Sequence, residues 1–371
     1  MKKLKDICFK ITDGSHNPPQ GVECSEYMML SSKNVFDDEI TFTEPRYLSE
    51  KDFNTENRRT DIKKGDLLFT IVGTVGRVAV ISEDIKICLQ RSVAVLKPKN
   101  DIINPRFLMY QLQNMRPKIE AEAKGVAQKG IYLKQVENIE VSVPTLQNQN
   151  EIVNSLDKIS DLICLRKQQI SKLDELVKSR FIELFGDPNT NPMKWKKEQL
   201  QINATLLNGR AYKQDELLDD GKYPVLRVGN FFSNRGWYYS DLELDEDKYC
   251  DDGDLLYAWS ASFGPRIWNG GKVIYHYHIW KVLVGEKYNK QFLCHLLDYA
   301  TASFMGDTHG IGMMHLTKSG MEETEFIVPL IDLQNQFAAF VKQTDKSKLA
   351  IQQSLEQLET LKKSLMQQYF G

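Results

Sequence analysis

Val143-Pro144-Thr145-Leu146-Gln147-Asn148-Gln149-Asn150 opens a stretch that closes on Phe185-Gly186, and a second version runs from Val328-Pro329 through Leu333-Gln334-Asn335-Gln336 to Phe370-Gly371. Val-Pro and Phe-Gly recur at an offset of 185 residues, whereas Leu-Gln-Asn-Gln recurs at 187, which predicts that one copy has shifted its helix start by two residues. A period this large marks duplicated domains rather than a solenoid. Within the first copy the apolar residues Ile152, Leu156, Ile159, Ile163, Ile170, Leu173, Val177 and Leu184 follow a spacing of 4 and 3. Phe337, Val341, Ile351, Leu355, Leu358 and Leu365 do so in the second. That spacing predicts long helices packed on other helices. Thr145 and Asp332 are the expected N-caps, and Gly186 before Pro188 is the expected stop. From Gln147 to Phe185 such a helix would be roughly 58 Å long at about 1.5 Å per residue. Helical pattern alone fits a dimerisation coil. One copy, however, lies between two globular segments and the other follows the second, so the two can pair antiparallel inside one chain.

Working outward, residues 1–142 and 187–327 read as two mixed α/β segments flanking helical segments 143–186 and 328–371. The fold class is therefore α+β: two globular domains separated by a pair of long antiparallel helices, a pseudo-twofold repeat. In the first segment Tyr27 to Leu30 and Ser92 to Leu96 are expected strands, Asp66 to Val72 and Arg77 to Ile81 a hairpin around Gly73 to Gly76, and Pro105 to Leu112 a helix. Gly65-Asp66-Leu67-Leu68-Phe69 is answered by Gly253-Asp254-Leu255-Leu256-Tyr257, Gly76-Arg77 by Gly264-Pro265-Arg266, and Asn104-Pro105-Arg106-Phe107-Leu108 by Asn289-Lys290-Gln291-Phe292-Leu293. Loop tips diverge, Ile11-Thr12-Asp13-Gly14-Ser15-His16 against Leu207-Asn208-Gly209-Arg210-Ala211-Tyr212, so each segment is expected to read a different target.

The chain of 371 residues, 42% hydrophobic and 26% charged, has room for two or three domains. No run approaches the ~20 apolar residues of a membrane span, and the six cysteines form no Cys-x-x-Cys pair. Reduced thiols in a cytoplasmic protein are expected. The net charge is −2; divided at Gly186, the first part carries 28 Lys+Arg against 26 Asp+Glu and the remainder 20 against 24. A nucleic-acid footprint would have to be a local stripe.

Catalytic signatures are missing from the sequence. Asn17-Pro18-Pro19-Gln20 lacks the aromatic residue that ends the amino-methyltransferase motif, and no glycine-rich cofactor loop precedes it. Gly73-x-x-Gly76 lacks the lysine of a phosphate loop and reads as a turn. His276 and His278 alternate on an expected strand but have no third metal ligand, so no metal is expected. A recognition set remains, on loops expected to be exposed: Thr12, Asp13, His16, Lys33, Asn34, Arg77, Gln90, Arg91, Gln128, Lys129, Arg210, Tyr212, Lys213, Arg227, Asn230, Trp259, Arg266, His276, His278 and His315. Arg and Lys suit guanine edges, Asn and Gln adenine edges, and the remaining cations phosphates.

The chain resembles the DNA-specificity subunit of type I restriction-modification systems along essentially its whole length. The resemblance rests on the duplicated Val-Pro and Leu-Gln-Asn-Gln helices, on Asp13-Gly14-Ser15-His16 with Pro18-Pro19, and on Gly209-Arg210-Ala211-Tyr212-Lys213. Tyr223-Pro224-Val225-Leu226-Arg227-Val228-Gly229-Asn230 and Gly312-Met313-Met314-His315-Leu316-Thr317 complete it. It implies two target-recognition domains without catalytic activity, binding a bipartite double-stranded DNA site, with antiparallel helices fixing the gap. It also implies docking of two modification subunits that methylate adenine, and of restriction subunits. No cofactor is expected on this chain; S-adenosylmethionine, ATP and Mg would sit on those partners. The rival expectation is a cytoplasmic coiled-coil adaptor for protein or RNA.

Overall fold

A computed structural model describes residues 1–123, 130–233, 236–260, 262–306 and 317–371, with side chains at 303–306 left aside. Two compact units result: residues 1–167 with 353–371, and residues 168–352. Each unit therefore owns half of each long helix.

In the first unit β1 (Cys8–Asp13), β2 (Met28–Leu30), β3 (Arg46–Tyr47), β4 (Leu67–Thr70), β5 (Val78–Val80), β6 (Ile87–Leu89) and β7 (Val93–Pro98) build two sheets. One is antiparallel, ordered β1-β7-β4-β5; the other is ordered β3-β2-β6, with β2 and β6 parallel. Strand residues in β4 and β7 are apolar almost throughout because sheet one is covered on both faces. Helix α1 (Glu50–Thr60), capped by Ser49 Oγ on the Asp52 N–H, packs on β6. Helix α2 (Pro105–Glu122) starts with Asn104 as cap and proline in its first turn. It puts Phe107, Leu108 and Tyr110 into the main core with Phe69 and Leu96. The expected hairpin around Gly73 to Gly76 is present as β4–β5, with φ of 86° and 87° at the two glycines.

The second unit repeats this plan with β8 (Ala204–Asn208), β9 (Tyr223–Leu226), β10 (Tyr238–Ser240), β11 (Tyr249–Cys250), β12 (Leu255–Ser260), β13 (Ser262–Ile267), β14 (Val273–Tyr275) and β15 (Ile279–Val284). Its sheets are β8-β15-β12-β13 and β10-β9-β14-β11, again with one parallel pair, β9 and β14. Its core gathers Tyr257, Trp280 and Phe292.

The long helices are α3 (Leu146–Phe185) and α5 (Ile331–Phe370), 40 residues each; between them α4 (Lys290–Gly306) is the counterpart of α2. Each long helix is roughly 60 Å long. In the first unit Val153 and Leu156 of α3 share a core with Leu365, Met366 and Phe370 of α5. Lys167 pairs there with Glu359 at 3.3 Å. In the second unit Asp174 pairs with Lys348 at 2.5 Å and Phe181 meets Phe337 edge-on at 5.5 Å. Residue numbers rise on one helix as they fall on the other, so the pairing is antiparallel. The helices bury their ends most deeply, where each packs on a globular core, while Ile163 and Ile170 are only half-buried.

Three sequence expectations are corrected here. Helix starts at Leu146 and Ile331 preserve the 185-residue offset, so no cap has moved by two residues. Gln149 corresponds to Gln334 and Asn150 to Asn335; the offset of 187 came from the repetitive Gln-Asn-Gln-Asn register. Thr145 does cap α3, accepting from the Asn148 N–H at 3.3 Å, but Asp332 lies inside the first turn of α5, where its charge faces the positive helix end. The Gly76-Arg77 alignment with Gly264-Pro265-Arg266 also slips. Strand register pairs Phe69 with Val78 and Tyr257 with Pro265, which makes Arg77 equivalent to Gly264 and Arg266 to Ala79.

Candidate nucleic-acid interface

Corresponding backbone hydrogen bonds define equivalent positions at one edge of each unit. The Gly14 N–H donates to the Val93 carbonyl at 3.1 Å and the Gly209 N–H to that of Ile279 at 3.2 Å. A Cβ at Gly14 would sit 2.1 Å from the Leu89 carbonyl oxygen, and one at Gly209 2.4 Å from that of Tyr275; only glycine lets the two chain segments touch there. The next residues, Ser15 and Arg210, donate to Leu89 and Tyr275 at 2.7 and 3.0 Å, and their carbonyls accept from Arg91 and Tyr277. The Gln90 N–H donates to Leu30, the His276 N–H to Leu226. Ile71 and Trp259 donate to the carbonyls of Ser92 and His278. Asn34 and Asn230 donate to those of Ser31 and Arg227, both at 2.9 Å.

Six positions are thus held by one scaffold in both units while their side chains change: Ser15, Ser31, Ile71, Gln90, Arg91 and Ser92 in the first; Arg210, Arg227, Trp259, His276, Tyr277 and His278 in the second. The second set is larger and more cationic. Sequence reasoning named seven of these twelve and missed Ser15, Ser31, Ile71, Ser92 and Tyr277; superposing Gly14 on Gly209 along the sequence aligns only Ser15 with Arg210, because the loops between the other pairs differ in length.

The remaining candidates sort by what their side chains already do. Thr12 and Asp13 are buried, against the expected exposure: Arg59 binds both, and Asp13 also holds His16 at 2.9 Å. Asn34 is buried too, accepting from the Ser31 N–H and donating to the Thr43 carbonyl at 3.0 Å; Asn230 closes the same turn through the Arg227 N–H and the Gly236 carbonyl. Both carboxamides are spent on local structure, as short polar side chains commonly are in turns. Lys33 is exposed, and Arg77 lies half-buried over the Phe36 ring at 4.7 Å. Arg210 is held bidentately by Glu216 at 2.7 and 2.9 Å, and the same carboxylate accepts from the Lys213 N–H, so Glu216 is pulled down to about 2, first by Arg210. Arg266 donates to the Phe231 carbonyl and covers its ring at 5.6 Å. Gln128, Lys129 and His315 lie outside the described residues.

His276 and His278 do not alternate on a strand; they lie in the turn between β14 and β15, with ring centroids 4.7 Å apart. Burial pushes His276 down to about 4, with His278 and Arg227 adding to the shift, so the ring is neutral near pH 7. Tyr212 lies parallel to it at 6.4 Å. With Arg227, Phe232, Ser233 and Ser262, the two histidines line a cleft of about 360 Å³. Trp259 is anchored, stacking on Trp280 at 5.8 Å and donating to the Tyr277 carbonyl at 2.9 Å. Trp268 is core. Among the described residues no group of three potential metal ligands converges, and no helix is long and apolar enough to cross a membrane.

Residues 24–175 and 192–360 match the type I restriction modification DNA specificity domain. The chain belongs to that family. Members are DNA-specificity subunits, non-catalytic components of their systems. This specificity subunit is 29% identical over 157 residues to the EcoBI specificity subunit of Escherichia coli, a match covering 42% of this chain and 32% of that one. It is 23% identical over 402 aligned positions to the putative MjaX specificity subunit of Methanocaldococcus jannaschii, covering 99% and 91%. The crystal structure of the type I S subunit from M. genitalium superposes with a TM-score of 0.61 at 15% identity, covering 100% and 95% of the two chains, which establishes a shared fold.

Proposed function

We propose that this specificity subunit reads a bipartite double-stranded DNA target, one half-site per unit, inside a type I restriction-modification complex. The observation that carries the reading is the set of six equivalent positions whose backbone is fixed and whose side chains differ. A duplicated scaffold with conserved packing and altered tips suits two readers of unlike sequence, since base edges specify while backbone contacts only position. Modification subunits bearing S-adenosylmethionine would methylate adenine, and restriction subunits would bring ATP and Mg; this chain would supply the address.

The test is replacement of residues 1–142 by the corresponding segment of another family member, followed by methylation mapping in cells carrying the modification subunits. One half-site should change and the other persist. Change in both, or methylation without sequence preference, would sink the assignment. Binding of RNA or protein but not duplex DNA would favour an adaptor instead.

A further inference from the structure

Among the described residues, three arginines of the second unit lie near the equivalent positions, and two are already committed. Arg210 spends two N–H groups on Glu216, and Arg266 donates to the Phe231 carbonyl. Arg227 pairs with no carboxylate among the described residues; its guanidinium rests over the Tyr238 ring at 5.1 Å and borders the cleft with His276 and His278. The Nδ1 of His276 accepts from the His278 N–H at 3.4 Å, which in the neutral ring leaves the proton on Nε2. Ser233 donates its hydroxyl to the Gly229 carbonyl at 2.7 Å. Among the described residues no carboxylate or carboxamide lines the cleft.

A ligand entering the cleft would thus meet the Arg227 guanidinium and the His276 Nε2–H as donors. Among bases in the major groove only guanine presents two acceptors, N7 and O6, without a donor beside them; adenine offers N6–H₂ and cytosine N4–H₂. In the first unit the equivalents of Arg227, His276 and His278 are Ser31, Gln90 and Ser92, none of which carries a guanidinium. We propose that the cleft between Arg227 and His276 takes a guanine edge of the half-site read by the second unit, with the guanidinium on N7 and O6. This rests on the DNA-reading function above and adds the base and the residue.

The experiment uses the complete modification complex. Methylation mapping with Arg227→Ala and Arg227→Lys should show recognition relaxed at a single G·C pair of one half-site, because lysine keeps the charge but loses the two-pronged geometry. In binding assays on the wild-type target, 7-deazaguanine at that position should weaken the wild-type complex roughly tenfold or more, and should leave Arg227→Ala unaffected. An unchanged motif, relaxation at an A·T pair, or even weakening on all sequences with a shallower salt dependence would overturn the proposal while leaving DNA reading intact; the last outcome marks a phosphate contact. Absence of any preferred motif with wild-type protein would overturn both.

Discussion

The side-chain oxygen of Gln149 accepts from the Asn104 N–H at 2.7 Å, joining the first turn of α3 to the residue that caps α2. Its Nε2 donates to the Ile102 and Pro144 carbonyls, and Asn104 in turn donates to Asn150. Gln334 repeats every bond, to Asn289 at 2.8 Å and to the carbonyls of Lys287 and Pro329, with Asn289 donating to Asn335. Both glutamines have 0% exposure. The duplicated motif is therefore a lock between long helix and globular core, which explains why a polar residue occupies a helix start inside a core.

Gln149→Leu should destabilise the first unit by about 2–4 kcal/mol, because it strands a buried N–H and two carbonyls. Gln334→Leu should do the same to the second. All five tryptophans lie in the second unit, so their fluorescence during urea unfolding should register the second substitution strongly and the first weakly. Equal responses would show that the two locks are not local.

Phe337 is fully buried and meets Phe181, Phe185 and His295 at 5.5, 5.7 and 5.2 Å. Phe337→Ala should cost about 3–5 kcal/mol through the cavity it leaves. A midpoint shift equivalent to less than about 1 kcal/mol in urea would mean that the aromatic cluster closes around the gap.

The second unit should lose stability as pH falls from about 6.5 towards 4. His276 binds its proton less readily folded than unfolded, so its neutral form stabilises the fold above the unfolded value of 6.5, and that contribution is lost as pH drops towards about 4. Tryptophan-detected urea midpoints measured across that window should fall more steeply for wild type than for His276→Gln. Parallel curves would contradict it.

Helices α3 and α5 each run from one unit into the other. If the target is bipartite as proposed, one helical turn added to α3 near Ile170, with a matching turn in α5, should change the number of unread base pairs between half-sites and leave both half-sites intact. An unchanged gap on methylation mapping would remove the helices from target selection.

Much was legible without coordinates, and the reason differs by level. The 4-and-3 apolar spacing, the Val-Pro openings and the Phe-Gly closures carry the duplicated helices because helical packing repeats along the chain; turn glycines such as Gly65 and Gly253, with φ of 91° and 88°, mark the shared scaffold because few other residues take that conformation. The side chains that meet were decided by tertiary structure. Arg210 reads in sequence as a free cation until the fold places Glu216 on it, Asn34 and Asn230 as contacts until each closes its own turn, and Gln149 as Gln147's neighbour until its bonds identify it with Gln334. Local periodicity is a property of neighbouring residues and is written in their order, whereas the availability of a polar group depends on partners brought in from elsewhere in the chain.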